Sequence, residues 1–189
     1  DEIYKKSKEF FWATEGLFDP TVKPLTNLWN INGENPKVPE AEAISKTLEM
    51  VNGENLLTGE KIILENNASI DLGGIAKGYA ADEAIKVLKK HNIKDAVINL
   101  GGNVYVLGTK RIGIQNPLLK NGDYLGVIKV TDCSVATSGG YERFFIQDGK
   151  TYHHIINPFT GYPAETDLLS ATVISSSSID ADCLSTILF

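Results

Sequence analysis

Apolar residues recur at helical spacing in three long stretches of the chain and at strand spacing in several shorter ones. In "DEIYKKSKEFFWAT", Ile3, Ser7, Phe10 and Phe11 mark one face of a first helix that closes near Gly16. "FDPTVKPLTNLWNING" follows, broken by prolines and Asn-Gly-like stops, and reads as an ordered loop. In "PEAEAISKTLEMV", Ala41, Ile44, Leu48 and Val51 share a side behind Pro39, where a proline loses no helical hydrogen bond. "GGIAKGYAADEAIKVLKKH" predicts a Gly-rich lead into a helix with Ala81, Ala84, Ile85 and Leu88 facing inward.

Strand patterns dominate after His91. "DAVINLGGNVYVLG" is two β-rich runs around Gly101-Gly102-Asn103, a hairpin signal. "YLGVIKV", "YERFFI", "YHHIIN" and "LLSATVIS" read as further strands, and "KIILEN" and "ASIDL" as two short ones before the Gly-rich helix. The last stretch, "SSIDADCLSTILF", predicts a buried helix with Leu184, Ile187, Leu188 and Phe189 on its apolar side. Helices early and strands late imply an α+β fold, a mixed or antiparallel sheet with flanking helices, rather than a regular βαβ array. No repeat or linker divides the chain, so one domain over residues 1–189 is expected. Because the chain opens inside one helix and stops inside another, both ends read as cut.

Composition narrows the classes of function. Hydrophobic content of 42% and charged content of 22% are ordinary for a globular chain. A net charge of −6 argues against a general nucleic-acid binder, which needs a basic face. It leaves room for one anionic ligand, since a phosphate site needs only a few local donors. Cys133 and Cys183 are too few for a disulfide framework and lack CxxC spacing. No apolar run reaches the roughly 18 residues of a membrane span, and no signal peptide stands at the start.

Four places carry candidate chemistry. In "SIDLGGIAKGYAADEA" a strand ends at Asp71, two glycines turn the backbone, and a helix begins. Unpaired N–H groups there offer an anion cradle, with Lys77 as a point charge for a phosphate; the bland alternative is a tight connection. The spacing is neither GxGxxG nor GxxxxGK[ST]. Asp71 beside a phosphate is repulsive unless a metal intervenes or it accepts a hydrogen bond from another part of the ligand, which favours a nucleotide. In the last helix Asp182 and Thr186 are neighbours one turn apart, an oxygen pair suited to Mg²⁺. Equally, acids in a first turn favour the helix dipole and a threonine bonds back to a carbonyl. "TYHHIINPFTGYPAET" sets His153 and His154 on opposite faces of a strand, so at most one serves a given pocket. "SVATSGGYERFF" supplies Thr137, Ser138, Gly139 and Gly140 as a small-residue loop open to a ligand, and Arg143 as a partner for an acid or phosphate.

Taken in order, "TEGLFDPTVKPLTNLW", "SIDLGGIAKGYAAD", "INLGGNVYVLG", "SVATSGGYERFF", "YHHIINPFTGYPAET" and "DADCLSTILF" resemble the ApbE family over nearly the whole chain. The resemblance implies a Mg²⁺-dependent FAD:protein FMN transferase. A threonine or serine hydroxyl of an acceptor flavoprotein attacks the FMN-side phosphorus of FAD, and AMP leaves. By the same resemblance Asp182, Thr186 and the Gly74 carbonyl are the metal ligands. Asp71, Lys77 and Ile155 lie at the flavin nucleotide, as do Thr14, Glu15 and Gly16. His154 is the base or hydroxyl positioner, with Asp180 or Asp182 sharing that role. The family acts on exported or membrane-bound redox proteins, so an extracytoplasmic location is expected, with membrane attachment only through a lipid anchor lost from this sequence. Competing readings are a Mg²⁺-dependent FAD pyrophosphatase, a non-catalytic flavin-binding module, and a purely structural domain.

Overall fold

The computed structural model describes residues 2–119 and 123–189; Asp1, where the first expected helix begins, lies outside them. The chain runs through α1 (Glu2–Ala13), α2 (Lys23–Trp29), α3 (Ala41–Leu48), a short 3-10 turn, β1 (Leu56–Thr58), β2 (Ile62–Leu64) and α4 (Ala76–Lys90). It continues through β3 (Ala96–Leu100), β4 (Asn103–Gln115), β5 (Tyr124–Gly139), β6 (Phe144–Gln147), β7 (Lys150–His153), β8 (Ser170–Ser175) and α5 (Ser178–Leu188). This is the expected α+β architecture, and every strand pair among the described residues is antiparallel. Two compact units share the elements: Asp1–Leu72 with Gly140–Asp167, and Gly73–Gly139 with Leu168–Phe189. No helix of the described residues is long and apolar enough to cross a membrane.

The first unit is built around Trp29. The segment expected to be a loop contains α2, started by Pro24 and ended by Asn30 in the left-handed region. Its apolar residues explain the helix: Leu25 and Trp29 are buried with Ile31 and Ile44 in one cluster. Trp29 stacks on Tyr152 with ring centres 5.6 Å apart, and its indole N–H donates to the Gly161 carbonyl at 2.7 Å. Removing so large a buried ring typically costs about 3–5 kcal/mol. Strand β2 pairs with β1, which the polarity pattern did not reveal. "ASIDL" joins no ladder; Asp71 N–H donates to the Pro20 carbonyl at 2.8 Å instead. β6 and β7 form a hairpin closed by Asp148-Gly149, both with positive φ, the backbone that a tight two-residue turn demands.

The second unit is a four-stranded sheet of order β3-β4-β5-β8. Leu100 pairs with Asn103 across Gly101 and Gly102, whose φ values of 60° and 90° suit glycine. Side chains alternate across the sheet. On one face Tyr105 and Leu107, with Ala96, Ile98 and Leu100, pack on Ala81 and Ile85 of α4. On the other, Val106 and Val135 join Val130 and Ile112 from the long β4–β5 hairpin. The run Thr137–Gly139 is not a loop: it is the end of β5, paired with Ser170–Thr172 of β8.

Helix α5 keeps the expected burial of Phe189 but not the rest of the expected face. Its buried face carries Ser178, Ile179, Ala181, Asp182, Cys183 and Ser185, whereas Leu188 is 59% exposed. Small residues are buried because α4 passes very close. A Cβ placed on Gly78 would lie 2.4 Å from the Ser178 carbonyl oxygen and 2.6 Å from Ile179 Cα. Neither backbone atom can swing aside. Gly78→Ala is therefore expected to destabilise the protein by about 1–3 kcal/mol, as over-packed sites do, measured by chemical denaturation; an unchanged midpoint would show that the two helices separate freely.

Candidate active site

The Gly73-Gly74 bend delivers the chain into α4, whose first turn carries Lys77. On α5, one turn beyond the helix start, Asp182 is a nearly buried carboxylate, 3% exposed. An isolated buried carboxylate is strongly unfavourable, and α4 supplies the compensation. Lys77 Nζ lies 3.0 Å from Asp182 Oδ1, and the Gly78 N–H donates to Oδ2 at 2.9 Å. The same ammonium donates to the Gly73 carbonyl at 3.1 Å. Thr186 Oγ1 donates back to the Asp182 carbonyl at 3.2 Å and lies 3.2 Å from Ser138 Oγ, which also meets Ser185 Oγ at 2.9 Å. Asp182, Thr186, Lys77 and the glycine bend are thus gathered in one unit. The carbonyl in contact with Lys77 belongs to Gly73, next to the Gly74 picked out by the family resemblance.

What aims α5 at this cluster was not read from the sequence. Asp82 accepts the Ser178 N–H on Oδ1 and the Ile179 N–H on Oδ2, both at 2.9 Å. A carboxylate on the first amides of a helix answers both the orphan donors and the dipole. Ser177 adds a second cap by accepting the Asp180 N–H at 3.2 Å. The signal was present: Gly78 and Asp82 are four apart and therefore share the side of α4 that faces α5. Asp82→Ala is expected to cost about 1–2 kcal/mol, the range of a lost N-cap, in thermal or denaturant unfolding; a loss below about 0.3 kcal/mol would remove Asp82 as the anchor of α5.

The remaining candidates belong to the other unit. Thr14, Glu15 and Gly16 form the turn that follows α1: Thr14 Oγ1 donates to the Phe10 carbonyl at 2.7 Å and accepts the Phe18 N–H at 2.9 Å, while Glu15 and Gly16 have positive φ. Asp71 Oδ2 accepts the Thr26 hydroxyl at 2.9 Å and has Lys23 Nζ at 3.8 Å. Arg143 contributes its carbonyl, which accepts the His154 N–H at 3.2 Å and lies 3.3 Å from His154 Nδ1. A carbonyl only accepts, so this contact puts a ring proton on Nδ1, and in the neutral ring the lone pair is then on Nε2.

The two adjacent histidines differ in kind. His153 Nε2 lies 2.9 Å from the Ala164 carbonyl and must donate, so Nδ1 accepts the Ile155 N–H at 3.3 Å. Burial pushes its pKa below the ordinary value, and the Ala164 carbonyl offsets this only in part. His153 is therefore a neutral packing residue that fixes the strand end before Ile155. Because its folded pKa is depressed, the unfolded chain takes up its proton first as pH falls through about 6.5. Its contribution to stability is present above that pH and is lost on acidification. Wild type should lose more denaturant stability between pH 7 and pH 5 than His153→Gln; equal losses would contradict a depressed His153.

Comparison with known proteins gives a consistent identification. The model of the ApbE family matches residues 2–189. An FAD:protein FMN transferase of Klebsiella pneumoniae (strain 342) is 38% identical over 192 residues, covering 100% of this chain and 61% of that protein. One from Treponema pallidum (strain Nichols) is 36% identical, covering 99% and 58%. The crystal structure of the ApbE protein from Thermotoga maritima superposes with a TM-score of 0.90 at 38% identity, over 98% of this chain and 63% of that one. The chain spans about three-fifths of the length of these relatives.

Proposed function

The chain belongs to the ApbE family, and from that premise we propose that this protein moves FMN from FAD to a threonine or serine hydroxyl of an acceptor flavoprotein, with Mg²⁺ as the required metal. The observation that carries the reading is the cluster of Lys77, Asp182 and the Gly73 carbonyl at the start of α4. It is made of the groups that diphosphate chemistry needs: a hard carboxylate, a carbonyl and a mobile cation.

The donor set suits a hard divalent ion. Asp182 and Thr186 offer a carboxylate and a hydroxyl, the bend offers carbonyls, and a cation already rests against the Asp182 carboxylate in the form of the Lys77 ammonium. In this reading Asp182, Thr186 and a carbonyl of the Gly73-Gly74 bend hold Mg²⁺. When bound, Mg²⁺ supplies neutralisation of the diphosphate charge. Lys77 pairs with a phosphate oxygen of FAD. Asp71 accepts a hydrogen bond from the nucleotide, and Thr14–Gly16 and Ile155 flank it. His154 accepts the acceptor's hydroxyl proton on Nε2 as the new P–O bond forms, and the P–O bond to AMP breaks. Asp180 or Asp182 shares in positioning the hydroxyl. The same proposal sets the reaction outside the cytoplasm, a location that rests on the family resemblance alone.

Incubation of the protein with FAD, Mg²⁺ and a threonine-bearing acceptor, followed by intact mass, tests this directly. The acceptor should gain the mass of FMN less one water, and EDTA should abolish the gain. Release of free FMN and AMP with an unmodified acceptor would instead indicate a pyrophosphatase. FAD retained without turnover would indicate a binding module. His154→Ala should keep FAD affinity within about threefold while lowering transfer by at least about 100-fold, the usual scale for a lost general base. Transfer at the wild-type rate would exclude His154.

A further inference from the structure

We propose that Lys77 is a built-in competitor of the divalent cation, so that cation loading at Asp182 is coupled to arrival of a diphosphate. The inference rests on the metal reading given above and adds an order of events to it. Lys77 Nζ makes its contacts with Asp182 Oδ1 at 3.0 Å and the Gly73 carbonyl at 3.1 Å. These are a carboxylate oxygen that the metal needs and a carbonyl on the bend that would share in holding it. An ammonium and a divalent ion cannot both occupy that short space, because like charges so close repel strongly at low dielectric.

The two ends of the pair are unequal. The Asp182 side chain is 4% exposed and fixed by the Gly78 N–H on its other oxygen, whereas the Lys77 side chain is 41% exposed. The carboxylate stays; the ammonium can leave on its flexible stem. A ligand with phosphate oxygens gives it somewhere to go. Drawing Lys77 onto a diphosphate removes the competing charge from Asp182 and adds new anionic oxygens, so diphosphate and metal strengthen each other's binding. Without a diphosphate, Lys77 keeps the buried carboxylate compensated and the metal affinity low. This explains a lysine and a metal-ligating aspartate in mutual contact: the lysine holds the site in reserve.

The test measures Mn²⁺ binding by the intact protein, from the electron paramagnetic resonance of free Mn²⁺, for wild type, Lys77→Met, Lys86→Met and Asp182→Asn. Lys86 is an exposed lysine on the same helix, paired with Glu83, and controls for a general change of charge. Without nucleotide, Lys77→Met should bind Mn²⁺ at least about tenfold more tightly than wild type, the scale of one charge-assisted contact no longer in competition. Lys86→Met should match wild type. Adding ADP should narrow the gap between wild type and Lys77→Met, and Mn²⁺ alone should raise the melting temperature of Lys77→Met more than that of wild type. Should Lys77→Met not fold, Lys77→Gln serves in the same comparison. Lys77 variants that bind Mn²⁺ no better than wild type, while Asp182→Asn loses binding, would overturn the competition and leave the metal site standing. A gap undiminished by ADP would overturn the coupling. Asp182→Asn binding Mn²⁺ as well as wild type would sink the metal reading and this proposal with it.

Discussion

A carboxylate that is 3% exposed must be compensated where it stands, and Asp182 sets that requirement for the second unit. Its two oxygens take one contact each from α4, the Gly78 N–H and the Lys77 ammonium. Both contacts need the helices to be unusually close, which is why position 78 has no side chain and why the buried side of α5 is small. Asp82, one turn further along α4, locks the same approach by holding the first amides of α5. Packing, capping and charge compensation are therefore one device. A change in any of them moves the carboxylate, on whose position the proposed chemistry depends.

The first unit solves a different problem, that of holding a polar loop rigid without regular structure. Trp29 supplies the buried mass and its N–H ties down Gly161 in the turn after the histidines. That turn closes on itself through Asn157, whose carbonyl accepts the Gly161 N–H at 2.9 Å and whose Oδ1 accepts the Phe159 N–H at 2.8 Å. His153 is spent on the same task. What remains is His154 with its Nδ1 against the Arg143 carbonyl, a backbone contact that orients the ring.

Much of this was legible in the residues. The helix of residues 76–90, the Gly101-Gly102 hairpin and the strands of the second half follow from period and turn chemistry, because in each the burial pattern and the local propensity agree. The last helix was readable as a helix but not by its face. Leu184, Ile187, Leu188 and Phe189 suggested an apolar side, and Phe189 is buried, but close approach to α4 selected Ser178, Ala181, Asp182 and Ser185 for burial and left Leu188 exposed. Tertiary proximity overrode hydropathy, and nothing local encodes it. α2 was hidden by its prolines, one of which in fact starts it. At the site, the one-turn spacing put Asp182 and Thr186 on one helix, where Thr186 bonds back to the Asp182 carbonyl, and the Gly-rich turn pointed to Lys77. That Lys77 touches Asp182 directly could not be read, since the contact joins two helices far apart in the chain.

Diffraction from crystals of the protein grown with Mn²⁺ and ADP, with anomalous scattering locating the metal, tests the central claim most directly. The account predicts manganese about 2.1 Å from an Asp182 carboxylate oxygen, with Thr186 and a carbonyl of the Gly73-Gly74 bend in the same shell and the Lys77 ammonium moved onto phosphate. Manganese bound elsewhere, with Lys77 still against Asp182, would contradict it.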